Sequence, residues 1–206
     1  MDTNKTMTAV SAKRLNVRYM TVTAMLSAIA YILMFLDFSV GFMPEFIKMD
    51  LSELPALIGS FAMGPVCGVT ICLIKNILHL FITSTGGVGE LSNFILGVAF
   101  VLPAGLIYKH KKSRKNALLG SLAGAVLMGL VSIVSNYFLV YPIYYNFMPK
   151  ETILQAYQAF LPFIRSILQS LIIFNMPFTI FKGLCSAAIT FLTYKHISPI
   201  LKGSNR

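Results

Sequence analysis

Long apolar runs separated by short polar segments occupy most of this 206-residue chain. The runs are continuous rather than alternating, and the longest have the roughly 20 residues that a helix needs to cross a bilayer. In a bilayer a spanning segment must satisfy its own backbone hydrogen bonds, which a helix does internally. The pattern therefore predicts an all-α integral membrane protein, a bundle of six transmembrane helices.

Six apolar segments carry this prediction. They lie at about 19–36, 56–64, 66–82, 93–108, 117–140 and 174–194. The second is short for a full crossing and follows Pro55, a residue that is well tolerated at the first position of a helix. For the same reason Pro177 is expected near the start of the sixth helix. The polar loop at about 37–54 precedes the second helix, and a long segment at about 141–173, read as amphipathic or interfacial, precedes the sixth.

The distribution of charge orients the bundle. Only 12% of residues are charged, yet the net charge is +10, whereas soluble proteins have about a quarter of their residues charged. Twelve of the 17 Lys and Arg residues fall in residues 1–18, in a central loop at about 109–116, and after Tyr194. Basic residues accumulate in cytoplasmic loops, so both termini are expected in the cytoplasm, with tails at 1–18 and 198–206 around a membrane domain at 19–197. This bias explains the charge better than nucleic-acid binding does.

Motifs for enzymatic chemistry are missing from the sequence. Cys67, Cys72 and Cys185 form neither a CxxC pair nor a Cys/His cluster, so they are expected to be packing residues. There is no Walker loop, no metal-ligand spacing and no nucleophile–base arrangement. We therefore expect no catalytic residues, no metal and no cofactor, and a membrane enzyme is not favoured.

Polar residues interrupt the sixth apolar segment. Asn175, Thr179 and Lys182 are spaced i, i+4 and i+7, which places them on one helical face. A charge in the bilayer costs at least about 2.5 kcal/mol, so Lys182 should line a polar cavity or pair with an acid. Glu45, Asp50 and Glu53 are the candidate acids, and the sequence does not choose among them.

The charge-derived topology brings further polar residues to the same outer half of the bundle. They are Asn76 and His79 of the third helix, Asn93 of the fourth, Asn136, Tyr137 and Tyr141 of the fifth, and Glu45 of the first outer loop. Together with the sixth helix they predict a ligand pocket open to the outside, with amides and a cation set among apolar walls. The alternatives are structural: the asparagines could bridge helices, Lys75 could snorkel or pair with an acid, and His79 could complete a helix end.

Ala24 and Ala28 lie four residues apart on the first helix. Small residues at this spacing allow another helix to approach closely. That helix could belong to the same bundle or to a partner protein.

Four stretches carry a resemblance to a known family. They are FIKMDLSELPALIGSFAMGP, LIKNIL, NYF with the nearby YP, and PFTIFKG. Over about 20–195 the chain resembles the riboflavin-binding S components of energy-coupling factor (ECF) transporters.

The resemblance implies a six-helix protein of the bacterial cell membrane that captures riboflavin from outside. It also implies partners, namely a transmembrane T component and two ABC-type ATPases that hydrolyse ATP in place of this chain. Asn136, Asn175 and Lys182 match the family's binding residues, and Thr179 departs from the family at a position where a polar residue such as an amide is expected. Glu45 is matched to the acid of the first outer loop, which acts as a lid, and Ala24 and Ala28 match the motif that contacts the T component.

Other functions stay open at this point. The chain could be an S component for another vitamin, such as thiamin or folate. It could also be an autonomous secondary transporter, although no inverted repeat is visible in the sequence, or a purely structural membrane subunit.

Overall fold

The computed structural model describes residues 3–41, 43–44, 47–83 and 85–202, with side chains described between 17 and 193. Its helices are α1 Thr3–Phe35, α2 Glu53–Met63, α3 Pro65–His79, α4 Val88–His110, α5 Arg114–Ser135, α6 Tyr141–Tyr144, α7 Lys150–Gln158, α8 Ile167–Ser170 and α9 Met176–Lys202. A 3₁₀ turn at Leu80–Ile82 extends α3, and π-helical turns at Asn136–Val140 and Leu171–Asn175 join α5 to α6 and α8 to α9.

Five helical stretches within the described residues are long and apolar enough to cross a membrane. They are Val17–Phe35, Pro65–Ile82, Val88–His110, Arg114–Tyr144 and Ile167–Thr193. The chain is therefore a multi-pass membrane protein. The remaining apolar helix, α2, has 11 residues, which is short for a crossing at 1.5 Å per residue.

Helix α2 is buried along most of its length and packs against α1, α3, α4 and α9. A helix that is apolar on all sides is typical of a bundle interior, which explains why so short a helix is stable here. Gly64 ends it with φ = 106°, a conformation that favours glycine, and Pro65 then begins α3.

Phe100 and a neighbouring glycine show how the core of the bundle is packed. Phe100 is fully buried in a cluster with Leu57, Ile71 and Met128. Where α5 crosses α4, a Cβ on Gly124 would overlap the carbonyl oxygen of Phe100. The glycine therefore allows the two backbones to approach closely, as small residues do in membrane bundles.

Several helix boundaries differ from the sequence prediction. Helix α1 begins at Thr3, the fifth apolar stretch continues to Tyr144, and the sixth begins at Ile167, ahead of α9. Pro177 is the second residue of α9 and so lies near a helix start, but α8 and the π-helical turn at Leu171–Asn175 precede α9 without a break.

The two π-helical turns explain how helices continue through proline. The Tyr141 N–H donates to Asn136 O and the Met176 N–H to Leu171 O, each five residues back. Each turn ends two residues before a proline, Pro142 or Pro177. Proline has no N–H and clashes with the carbonyl four residues back, and a wider turn relieves that clash.

Two segments cover one end of the bundle. In the loop between α1 and α2, strands β1 Phe38–Ser39 and β2 Lys48–Met49 pair antiparallel, with Phe38 opposite Met49. The segment after α6 contains α7, whose buried residues Ile153 and Tyr157 pack among Val88, Val140, Ile164 and Leu171.

Candidate ligand-binding site

A cavity of about 530 Å³ lies between these two segments and the ends of five membrane helices. Its polar lining residues are Asp37, Lys48, Asp50, His79, Thr85, Glu90, Ser92, Asn93, Asn136, Tyr141, Tyr144, Asn175, Thr179 and Lys182, and its apolar ones include Met34, Ile47, Leu96, Met128, Val140, Phe147, Met148 and Phe178. Small-molecule sites usually occupy about 300–1,000 Å³ and combine apolar walls with a few polar groups. The cavity has both properties.

Seven of the predicted binding residues line this cavity. They are His79, Asn93, Asn136, Tyr141, Asn175, Thr179 and Lys182. Asn136, Asn175, Thr179 and Lys182 are each at most 8% exposed, so the fold brings them together as buried residues of one lining. Their contact with a ligand stays a prediction.

Two of the predicted residues that the structure describes, Tyr137 and Asn76, are not in this lining. Tyr137 is 42% exposed and directed away from the cavity, since it follows Asn136 on the helix and therefore lies on another face. Asn76 is buried one turn deeper than His79, where its amide donates to Cys72 O at 2.7 Å. Glu45 lies outside the described residues.

Four ionisable side chains form a charged cluster, Asp50, Glu53, Lys75 and Lys182, at the wall of the cavity. Lys182 Nζ lies 2.7 Å from Asp50 Oδ2 and 3.3 Å from Glu53 Oε2. Lys75 Nζ lies 3.1 Å from Glu53 Oε1 and also donates to Ser52 Oγ. The cluster has two cations and two anions, and it ties the loop to α2, α3 and α9.

Burial makes the pairing in this cluster obligatory. The side chains of Lys75 and Glu53 are fully buried, and those of Asp50 and Lys182 are at most 10% exposed. Burial by itself raises the pKa of Asp50, but the charges of Lys182 and Lys75 outweigh it and hold that pKa well below its usual range. The Ser52 N–H also donates to Asp50 Oδ1 at 2.8 Å and favours the ionised carboxylate.

The cluster decides the question of pairing that the sequence left open. Of the two candidate acids within the described residues, Asp50 and Glu53 both contact Lys182. Lys182 therefore pairs with acids and lines the cavity at the same time. Lys75 pairs with Glu53, one of the structural roles weighed for it.

A second group, the tyrosine–asparagine triad of Tyr141, Tyr157 and Asn175, is neutral. The Tyr157 hydroxyl donates to Asn175 Oδ1 at 2.7 Å and also hydrogen-bonds the Tyr141 hydroxyl, while Asn175 Nδ2 donates to Tyr141 Oη at 3.4 Å. All three residues are at most 7% exposed. Burial raises the pKa of Tyr157 well above its usual value, so this phenol stays protonated.

Tyr157 was not among the residues predicted from the sequence. Its segment has no recognised motif and was expected at the membrane interface. The helical spacing of apolar residues in α7 could have indicated a buried face. Ile153 and Tyr157 are spaced i and i+4 and are the two buried residues of this helix.

A third polar group surrounds Glu90 at the start of α4. Its carboxylate lies 2.7 Å from His79 Nδ1 and accepts hydrogen bonds from Thr83 Oγ1 at 2.9 Å and Thr85 Oγ1 at 3.1 Å. Gly86 and Gly87 turn the chain there with positive φ. In the sequence this stretch is a glycine-rich turn, TSTGGVGELS, and Glu90 and Thr85 were not among the predicted binding residues. His79 completes a helix end and lines the cavity.

Among the residues that the structure describes, no group of three His, Cys, Asp or Glu side chains lies close enough to hold a metal ion. The cavity is suited to binding an organic molecule by hydrogen bonds and apolar contacts.

The family model for the substrate-specific component of ECF transporters matches residues 18–194. The chain belongs to this family. The resemblance inferred from the sequence motifs is thereby confirmed, and an S component is a transport subunit rather than an enzyme.

Individual relatives of this S component agree with the family match. The chain is 34% identical to the riboflavin transporter RibU of Staphylococcus aureus, over 91% of this chain and 93% of that one. It is 30% identical to the riboflavin transporter FmnP of Bacillus subtilis, over 90% and 94%. A solved S component of a bacterial ECF transporter superposes with a TM-score of 0.72 at 30% identity, covering 91% of this chain and 99% of that structure.

Proposed function

We propose that this chain captures riboflavin from outside the cell and serves as the substrate-binding subunit of an ATP-driven ECF transporter. The observation that carries the proposal is the cavity, which combines hydrogen-bonding side chains with apolar walls. The chain is similar to riboflavin transporters over nine-tenths of its length, which favours riboflavin over thiamin or folate as the ligand.

The chemistry of the lining suits a flavin. A flavin has a polar edge with alternating acceptors and a donor, an apolar dimethylbenzene end, and a hydroxylated side chain. Asn136, Asn175, Thr179 and Lys182 supply donors and acceptors for the polar groups, while residues such as Phe178 supply apolar contacts.

The charge distribution supports an outward-facing cavity. The cavity lies at the start of α4, near Asn93, whereas the basic loop at about 109–116 follows the end of the same helix. Because basic loops stay in the cytoplasm, the cavity is assigned to the outer side. We propose that α2 is an additional short crossing, and an even number of six spans is consistent with both termini in the cytoplasm of a bacterial cell.

The energising partners are proposed to be a T component and two ABC-type ATPase subunits, where ATP is hydrolysed. Ala24 and Ala28 are exposed on α1, between the exposed side chains of Met20 and Ile32. This face is free to contact a helix of the T component, which small residues would allow to approach closely.

Riboflavin titration of the detergent-purified protein tests the function. We expect saturable binding of riboflavin and none of thiamin or folate. Lys182→Ala combined with Asn175→Ala should abolish it, whereas the matched pair Lys150→Ala and Asn146→Ala, at exposed positions outside the cavity, should leave it intact. An unchanged affinity in the first pair would refute the assigned site.

A further inference from the structure

We infer that Tyr157 is a positioning residue that fixes the side-chain amide of Asn175 in one orientation. It thereby sets the order of donor and acceptor that a ligand meets at this wall of the cavity. The inference deepens the proposed function and rests on it, since the ligand is taken to be a flavin.

The hydrogen-bond lengths favour one orientation of the amide. The contact between the Tyr157 hydroxyl and Asn175 Oδ1 is 2.7 Å, the usual length of an O–H···O bond and the lower end of the range for an N–H···O bond. The contact between Asn175 Nδ2 and Tyr141 Oη is 3.4 Å, slightly beyond the range of an N–H···O bond and further beyond that of a bond between two oxygens. Together the two lengths fit the amide oxygen against Tyr157 and the nitrogen against Tyr141 better than the reverse.

The triad is a closed cycle in which each member donates once. Tyr157 donates to Asn175, Asn175 to Tyr141, and the Tyr141 hydroxyl completes the cycle to Tyr157. Turning the Asn175 amide over would require both hydroxyl protons to reverse as well. The cycle leaves one N–H of Asn175 and one lone pair of its Oδ1 for other partners, and Asn175 lines the cavity.

Tyr157 is held rigidly enough for this role. Its residue is fully buried within the cluster around Ile153 and Ile164, and its ring lies 5.5 Å from that of Phe174. Tyr157 is not part of the described cavity lining, so it acts through Asn175 rather than on the ligand. Asn175 is the last residue of the π-helical turn at Leu171–Asn175. Its partner Tyr157 belongs to α7, in the segment between the membrane helices Arg114–Tyr144 and Ile167–Thr193.

A double-mutant cycle tests the inference by riboflavin titration of the detergent-purified chain. Tyr157→Phe should weaken binding about tenfold, because it removes the hydrogen bond that holds the amide. In the Asn175→Ala background the same change should alter affinity less than about twofold, since two groups that act as a unit are non-additive. Tyr145→Phe, in the same outer segment but outside the described lining, is the matched control and should bind as the wild type does.

The outcomes separate the inference from the proposed function. Additive losses in the cycle, with normal wild-type affinity, would overturn the positioning role while riboflavin binding stands. Wild-type protein that does not bind riboflavin would overturn both.

A second variant covers the case in which Tyr157→Phe does not fold. Asn175→Asp retains the acceptor for Tyr157 but replaces the NH₂ by oxygen, so at alkaline pH riboflavin affinity should fall more than about tenfold. Affinity within about twofold of the wild type would contradict a fixed orientation. Infrared spectroscopy adds a readout that a merely structural role would not move: the carbonyl bands of bound riboflavin should shift in Tyr157→Phe.

Discussion

The charged cluster and the tyrosine–asparagine triad are two polar walls of one cavity with different chemistry. The cluster joins four ionised side chains from the loop, α2, α3 and α9. The triad joins three neutral side chains from α6, α7 and the turn before α9. Both are buried, and both attach a covering segment to the membrane helices.

The difference lies in what happens when one partner is lost. A buried ion that loses its partner still carries the full free-energy cost of desolvating its charge. A buried hydroxyl or amide that loses its partner costs much less folding free energy, because the group is neutral. The cluster should therefore control whether the loop and α2 assemble on the bundle. The triad should control how one amide is presented, at small cost to stability.

Loss of the Lys75 side chain should reduce folding stability more than any of the other changes considered below. In Lys75→Ala the fully buried Glu53 keeps Lys182 as its cationic partner but loses Lys75. Breaking a buried ion pair costs about 3–5 kcal/mol of folding stability. Thermal unfolding in detergent measures it. Lys75→Met combined with Glu53→Gln should recover part of that loss, because no charge is then left unpaired between those two positions. A Lys75→Ala variant as stable as the exposed control Lys150→Ala would contradict the account.

Loss of Asp50 should have the next largest effect, and it depends on pH. Because its pKa is lower in the folded than in the unfolded protein, Asp50 stabilises the fold above its unfolded pKa of about 3.9, and this stability is lost as pH falls through the lower folded pKa. Asp50→Asn should therefore destabilise the protein at neutral pH by about 1–3 kcal/mol. Below pH of about 4 the gap to the wild type should narrow. A constant gap from neutral to acidic pH would show that ionisation of Asp50 is irrelevant.

Tyr157→Phe should change stability less than either. One neutral hydrogen bond contributes about 1 kcal/mol, and the ring with its apolar packing stays in place. Chemical unfolding of the ligand-free protein measures this. A loss as large as that of Lys75→Ala would remove the distinction between the two walls.

The smallest effect is expected at the rim of the cavity. Lys48 Nζ lies 2.9 Å from Asp37 Oδ2, but the two side chains are 47% and 32% exposed. Exposed pairs contribute about 0–1 kcal/mol, so Lys48→Ala should unfold close to the wild type and should differ less in high salt. Destabilisation comparable to that of Asp50→Asn would show that exposure does not separate these two pairs.

The sequence alone predicted the long helices and much of one wall of the site. Apolar length gave the helices, and helical spacing placed Asn175, Thr179 and Lys182 on the face that lines the cavity. These properties are local, so a single segment contains the information for them.

Features that depend on distant contacts could not be predicted. The choice of Asp50 and Glu53 as partners of Lys182 depends on how the loop folds onto α9. The burial of Tyr157 depends on α7 packing beneath its neighbours. The helical residues that precede α9 depend on the π-helical turn at Leu171–Asn175, for which the sequence contains no local signal.

Riboflavin binding at this cavity is best tested by calorimetric titration of the detergent-purified chain. We expect saturable binding of one riboflavin per chain, abolished when Lys182→Ala and Asn175→Ala are combined. No saturable binding by the folded wild-type chain, or undiminished binding by that double variant, would contradict it.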